Sequence, residues 1–188
     1  MTRALVVGIL LSAFLLGGCR EEQRASPPPF ALTSEAVGRY CGMNVLEHPG
    51  PKGQIILDAQ VPEPIWFSSA RDALAFTMLP EEPKDIAAIY VSDMSKAPSW
   101  EKPGESNWID ARKAFYVISS SVRGGMGAEE AVPFSTEEAA RQFSVKNGGR
   151  VVAFSDVPQA YVLGSGGADA DTTTPTNPEK KLEGHGHG

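Results

Sequence analysis

Apolar and polar positions divide this chain of 188 residues into stretches of different character. Residues 5–16 are an apolar run broken only by Gly8 and Ser12, behind a single basic residue, Arg3. The run is too short for a stable transmembrane helix, which needs about 20 apolar residues, and it fits the hydrophobic region of a secretory signal. Residues 20–34 are polar and then proline-rich, through Pro27-Pro28-Pro29, the composition of an extended tether. At the other end, residues 164–188 are built mainly of Gly, Ala, Asp, Thr and Pro without apolar periodicity, which predicts disorder. A packed core is therefore expected between about residues 37 and 163.

Within that core a pattern occurs twice. Phe67-Ser68 opens a segment with Ala73 and Phe76 at +6 and +9, and Phe134-Ser135 opens a second with Ala140 and Phe143 at the same spacings. Each is followed by an apolar strand ending in Ser-Asp, at Ser92-Asp93 and Ser155-Asp156. Each is preceded by an apolar run, Gln54-Ile55-Ile56-Leu57 and Phe115-Tyr116-Val117-Ile118, and by a short extended piece, Ile65-Trp66-Phe67 and Ala131-Val132-Pro133-Phe134. Both helices are expected to start at a Ser: Ser69 with Asp72 in the first, and Ser135 with Glu138 as a capping box in the second. Gly148-Gly149 stops the second helix; Pro80 and Pro83 stop the first. The expected fold is α+β, two ββαβ modules, with Phe67, Phe76 and Asp93 matching Phe134, Phe143 and Asp156.

The end of the first apolar run changes the picture. Leu16-Gly17-Gly18-Cys19 resembles the lipobox of bacterial lipoproteins, where cleavage leaves a lipid-modified cysteine at the new N-terminus. Acylation of Cys19 would anchor the chain to a membrane, and several acyl chains together hold stably. Arg20 in the next position favours outer-membrane sorting of a protein facing the periplasm. Without residues 1–18, which hold one basic and no acidic residue, 16 basic and 23 acidic residues remain, a net charge of −7. That balance argues against nucleic-acid binding, which needs a basic surface. The expected division is a signal peptide at 1–18, a lipidated flexible tether at 19–36, a first ββαβ module with a metal-site loop at 37–110, a second at 111–163, and a disordered tail at 164–188.

With Cys19 lipidated, Cys41 is the one free thiol, so no intramolecular disulfide can form. Catalytic machinery is scarce. The three histidines are His48, in a Pro-Gly loop, and His185 and His187 in the tail; no serine elbow lies near His48, and Gly124-Gly125-Met126-Gly127 lacks the Lys and Ser/Thr of a phosphate-binding loop. An enzyme is not expected. The distinctive cluster is Tyr40-Cys41-Gly42-Met43, with His48 five residues beyond. A thiolate and a thioether two residues apart lie on one face of an extended chain or converge in a tight turn that Gly42 permits, and two soft sulfurs with an optional imidazole select Cu(I) over harder ions. Zinc sites hardly use Met. Met126, in the glycine-rich loop, is a candidate for a further metal or partner contact, whereas Met78 and Met94 read mainly as packing residues.

As a set, Gly17-Gly18-Cys19, Tyr40-Cys41-Gly42-Met43, Pro51-Lys52-Gly53-Gln54-Ile55, Tyr90-Val91-Ser92-Asp93, Tyr116-Val117, Gly125-Met126-Gly127, Ala139-Ala140 and Gly148-Gly149 resemble the NosL family of copper-binding lipoproteins. That resemblance implies two ββαβ units similar to part of organomercurial lyase. It also implies a Cu(I) metallochaperone role in denitrification, with delivery to the NosDFY transporter complex through its periplasmic NosD component, and so to nitrous oxide reductase. Cys41 and Met43 carry over as ligands most directly, and His48 is the third candidate. A non-metal adaptor lipoprotein is the main rival reading. An organomercurial-lyase-like enzyme is less favoured, because the second thiol its chemistry needs is missing.

Overall fold

The computed structural model describes residues 26–58 and 63–164. The expected signal peptide, Cys19, nearly all of the expected tail and its two histidines lie outside them. Among the described residues, seven strands form two antiparallel sheets. The first contains β1 (Gly53–Ile56), β2 (Pro64–Phe67), β3 (Ala88–Ser92) and β4 (Trp108–Asp110), in the order β2-β1-β3-β4. The second contains β5 (Phe115–Ile118), β6 (Val132–Phe134) and β7 (Arg150–Ala153), in the order β6-β5-β7. Helix α1 (Ala70–Met78) follows β2, α2 (Glu137–Asn147) follows β6, and a short α3 (Gln159–Leu163) ends the described chain. Each sheet thus contains a strand, strand, helix, strand path whose first strand lies in the middle.

Because side chains alternate across a strand, the first sheet has two distinct faces. Ile55, Phe67, Ile89 and Val91 point to the main core, where α1 buries Ala70, Ala73, Leu74 and Phe76. Tyr116, Ile118 and Val152 of the second sheet close the same core from the other side. The second sheet's opposite face holds Val117, Val132 and Phe134 against Ala140 and Phe143 of α2. The opposite face of the first sheet carries Gln54, Trp66 and Tyr90, joined by Trp108 at the edge. The layers run strap, sheet, α1, sheet, α2.

The strap is the part of the chain read in sequence as tether. From Pro27 onward it lies on the outer face of the first sheet. Tyr90 Oη donates to Pro27 O at 2.6 Å; the Gln54 amide both accepts from Phe30 N (2.8 Å) and donates to Phe30 O (2.9 Å). Leu32, Ala36 and Val45 then form their own buried cluster against Trp66 and Trp108. The two tryptophans would otherwise face water, and covering them removes apolar area at about 25 cal/mol per Å².

Local differences from the sequence reading have simple causes. Thr136, not Ser135, caps α2, with Thr136 Oγ1 accepting from Ala139 N at 3.3 Å. The Ser135 N–H is taken by the Asp93 carboxylate (3.0 Å), and its hydroxyl meets Ser95 Oγ (3.3 Å). Ser69 caps α1 as expected. In register, Gly53 pairs with both Phe67 and Val91, while Phe115 pairs with both Phe134 and Ala153. Phe67 therefore matches Phe134, but Val91 matches Ala153, which sets Asp93 against Ser155 rather than Asp156. The second strand ends early because Phe154–Asp156 coils into a 3-10 turn.

Candidate metal centre

Three loops bearing the candidate donors are rooted around the start of α1. The first spans residues 37–44. Val37 and Gly38 bridge to Asn44 and Trp66, so the segment extends the edge of β2, and Arg39 N donates to Trp66 O at 2.7 Å. Gly38 N donates to Met43 O and Gly42 N to Gly38 O, both at 2.9 Å, closing a tight turn. Gly42 has φ +65°, a conformation that glycine adopts without strain. The Cys41 thiol lies 3.9 Å from Met43 O and is partly exposed; Met43 is 41% exposed. A methyl group on Gly38 would stand only 2.5 Å from Cys41 Sγ, so the bare glycine gives the thiol its seat.

Side chains secure this turn from both flanks. Glu82, almost buried in the link after α1, accepts from Arg39 Nη2 at 3.3 Å and Tyr40 Oη at 3.2 Å. Burial and the charge of Glu82 push the Tyr40 phenol above its ordinary range. The Tyr40 ring packs on Phe67, and Asn44 donates to Ser34 O while capping the 3-10 turn Val45–Glu47. The result is a partly exposed Cys41 and an exposed Met43 in one turn on a braced sheet edge.

The second loop carries His48, which is only 9% exposed and whose buried Nε2 has no hydrogen-bond partner among the described residues. Its side chain lines a cavity of about 700 Å³ together with Leu32, Leu46, Lys52 and the loop around Pro103; Cys41 and Met43 are not part of that lining. The third loop is a small hairpin closed by the Arg123–Glu129 bridge, with Met126, 54% exposed, near its tip. Gly125 of this hairpin lies against His48: a methyl on it would come within 2.6 Å of His48 Cβ. Cys41 and Met43 are thus held together, and His48 adjoins the Met126 loop. Met78 and Met94 pack against the two main cores.

Two buried charges, both overlooked in the sequence, tie these loops to α1. Lys52, 1% exposed, donates to the carbonyls of His48 (2.5 Å), Pro49 (3.1 Å), Gly50 (2.8 Å) and Ser68 (3.5 Å). Burial pulls its ammonium down to about 8, and nearby Glu130 partly opposes that shift. Glu130 Oε1 accepts from Arg71 N in the first turn of α1 at 2.8 Å, and its Oε2 lies under Gly124. Burial raises its carboxyl to about 7, while donation from Arg71 N–H and the Ser69 hydroxyl holds it back. Their sequence signal is slight: each is a charged residue beside a run that reads as buried strand.

The donor types suit a soft monovalent cation. Cys41 offers a thiolate and Met43 a neutral thioether, and the unpartnered His48 Nε2 is a nitrogen whose burial remains uncompensated. Among the described residues no group of three or more His, Cys, Asp or Glu comes together to hold a metal. A small α+β body presenting soft donors on a braced edge suits a metal-carrying class of protein.

The NosL family model matches residues 29–162. The chain belongs to the NosL family. It is 48% identical over 163 residues to the copper-binding lipoprotein NosL of Achromobacter cycloclastes, covering 86% of this chain and 84% of that one. It is 37% identical over 155 residues to the protein of the same name from Stutzerimonas stutzeri, covering 81% and 79%. In structure it is similar to the copper chaperone NosL from Shewanella denitrificans, with a TM-score of 0.65 at 37% identity over 71% of this chain and 99% of that one. These relatives carry the names of copper-binding proteins and not of enzymes.

Proposed function

We propose that this chain is a lipid-anchored Cu(I) carrier working outside the cytoplasm. The observation that carries the reading is the 37–44 turn, where Cys41 and Met43 are kept exposed together on the edge of β2 by main-chain bonds and Glu82. Cys41 supplies the anionic ligand, Met43 a neutral sulfur and His48 a neutral nitrogen, with Met126 as a further metal or partner contact. One thiolate balances one Cu(I), so a shallow site is electrostatically acceptable. Anaerobic Cu(I) titration of the chain should give one ion per molecule, lost in Cys41→Ser. Full binding retained by Cys41→Ser would falsify this assignment.

Delivery to the NosDFY complex, and through its NosD component to nitrous oxide reductase, is the natural use of such a carrier. It is supported by family membership and by exposed Val37, Tyr40 and Met43 in the turn that carries the thiol, an apolar surface that suits direct handover to a partner. Anchoring rests on Cys19 and on the lipoprotein names of the relatives, and Arg20 points to the outer membrane, facing the periplasm. Intact mass should show a processed chain beginning at acylated Cys19, and Cys19→Ser should leave it unprocessed or soluble. Sucrose-gradient fractionation of the wild type tests the choice of membrane; recovery with inner-membrane markers would exclude outer-membrane sorting.

A further inference from the structure

Lys52 has no evident reason to be a lysine. Its methylene stem and ammonium lie at the buried edge of β1, where an apolar residue would avoid desolvating a charge. Its ammonium is spent on main-chain carbonyls, three of them consecutive: His48, Pro49 and Gly50. Three carbonyls aimed at one point force the chain to curl, and the curl begins at His48. The fourth carbonyl, Ser68 O, belongs to the segment whose backbone N–H faces Gly38 and hence the Cys41 turn. On its other side the curl meets Gly125, which has no side chain to push His48 away; even one methyl would collide with His48 Cβ and approach Pro49 O at 3.0 Å.

We infer that Lys52 is a positioning residue for the copper site: its ammonium, opposite the bare backbone of Gly125, gathers the 48–50 carbonyls and sets where the His48 imidazole stands. Lys52 touches no metal. It acts through His48, and this role rests on the copper-site reading above. A positioning residue and the group it positions must share one effect, whereas a residue that merely supports the fold adds its own.

The test is a double-mutant cycle on the full chain, read by Cu(I) affinity under anaerobic conditions and by X-ray absorption of the Cu(I) form. Lys52→Met should weaken Cu(I) binding by the same factor as His48→Ala, remove nitrogen from the first shell and leave the sulfur. Lys52→Met/His48→Ala should be no weaker than His48→Ala alone. Multiplying losses, or a nitrogen shell intact in Lys52→Met, overturn the role. If Lys52→Met does not fold, Gly125→Ala approaches the same side chain from the opposite side, and its cycle with His48→Ala decides by the same criterion. If His48→Ala itself leaves affinity and nitrogen scattering unchanged, there is nothing to position and the inference falls. The Cys41 reading stands or falls separately, on Cys41→Ser.

Discussion

The two sheets have the same strand path, yet all the candidate donors except Met126 belong to the first. In the second, β5, β6, α2 and β7 follow one another with little added, and α2 buries only Ala140 fully while Val145 stands open to solvent. In the first, α1 is enclosed between both sheets, the outer face is covered by the strap, and β4 adds a further strand. The donor loops come from segments outside the shared elements: residues 37–48 before β1 and the 123–129 hairpin between β5 and β6. A repeated path supplies rigidity; the loops appended to it carry the candidate donors. This agrees with the general placement of binding residues on loops held by a rigid scaffold.

The sharpest way to break that comparison is to remove matching aromatic rings. Phe76→Ala, in the enclosed helix, should cost about 3–5 kcal/mol, and Phe143→Ala, on a half-exposed one, clearly less. Urea unfolding measures both, and equal losses would show that the halves are equally packed.

Next comes the charge that joins them. Glu130 has its carboxyl raised from 4.5 to about 7, so the folded state favours its neutral form. Its contribution to stability is complete below pH 4.5 and is lost as pH rises through about 7. Lys52, depressed to about 8, acts in the window above. Urea midpoints of the wild type should therefore fall between pH 5 and 8, and Glu130→Gln should flatten that slope. Parallel slopes would remove Glu130 as their cause.

Gly38→Ala probes the appended turn alone. The added methyl displaces the Cys41 thiol, so Cu(I) affinity should drop about tenfold, near 1.4 kcal/mol, with little change in melting temperature. An unchanged affinity would mean that the thiol has another seat.

The smallest effects should be alike in both halves. Ser69→Ala and Thr136→Ala each remove one helix cap and should cost about 1 kcal/mol, while Ser135→Ala should cost less than Thr136→Ala. A larger loss at Ser135 than at Thr136 would restore the serine as the cap.

What could be read from sequence was what depends on neighbours along the chain. The apolar runs at 54–57 and 115–118, the Ser69 cap and the Cys41-Gly42-Met43 turn are local patterns with local causes. The Ser135-Glu138 pair was equally local and misled, because Asp93, 42 residues away, claims the Ser135 N–H. Glu82 and Glu130 were overlooked for the same reason: Glu82 finds Arg39 across 43 residues and Glu130 finds Arg71 across 59. Lys52 bonds to three carbonyls only two to four residues away, but a single lysine before an apolar run carries no sign of its own burial. The strap was hidden by its own composition. Its burial comes from Gln54 and Tyr90 supplying bonds to a proline-rich backbone, and nothing within residues 26–36 announces those partners.

The docked strap has a mechanical consequence for a chain anchored at Cys19. Seven residues separate Cys19 from Pro27, and the eight Cα steps of this leash span at most about 26–29 Å. A body of this size has a radius of gyration of about 14 Å, so the leash is roughly twice that radius. If acylated at Cys19, the body would not sample the whole compartment; it would sweep a thin layer over one leaflet. A partner standing in the same membrane meets it at the millimolar effective concentrations typical of short tethers. For a body so anchored, any search for a partner in that membrane would be two-dimensional.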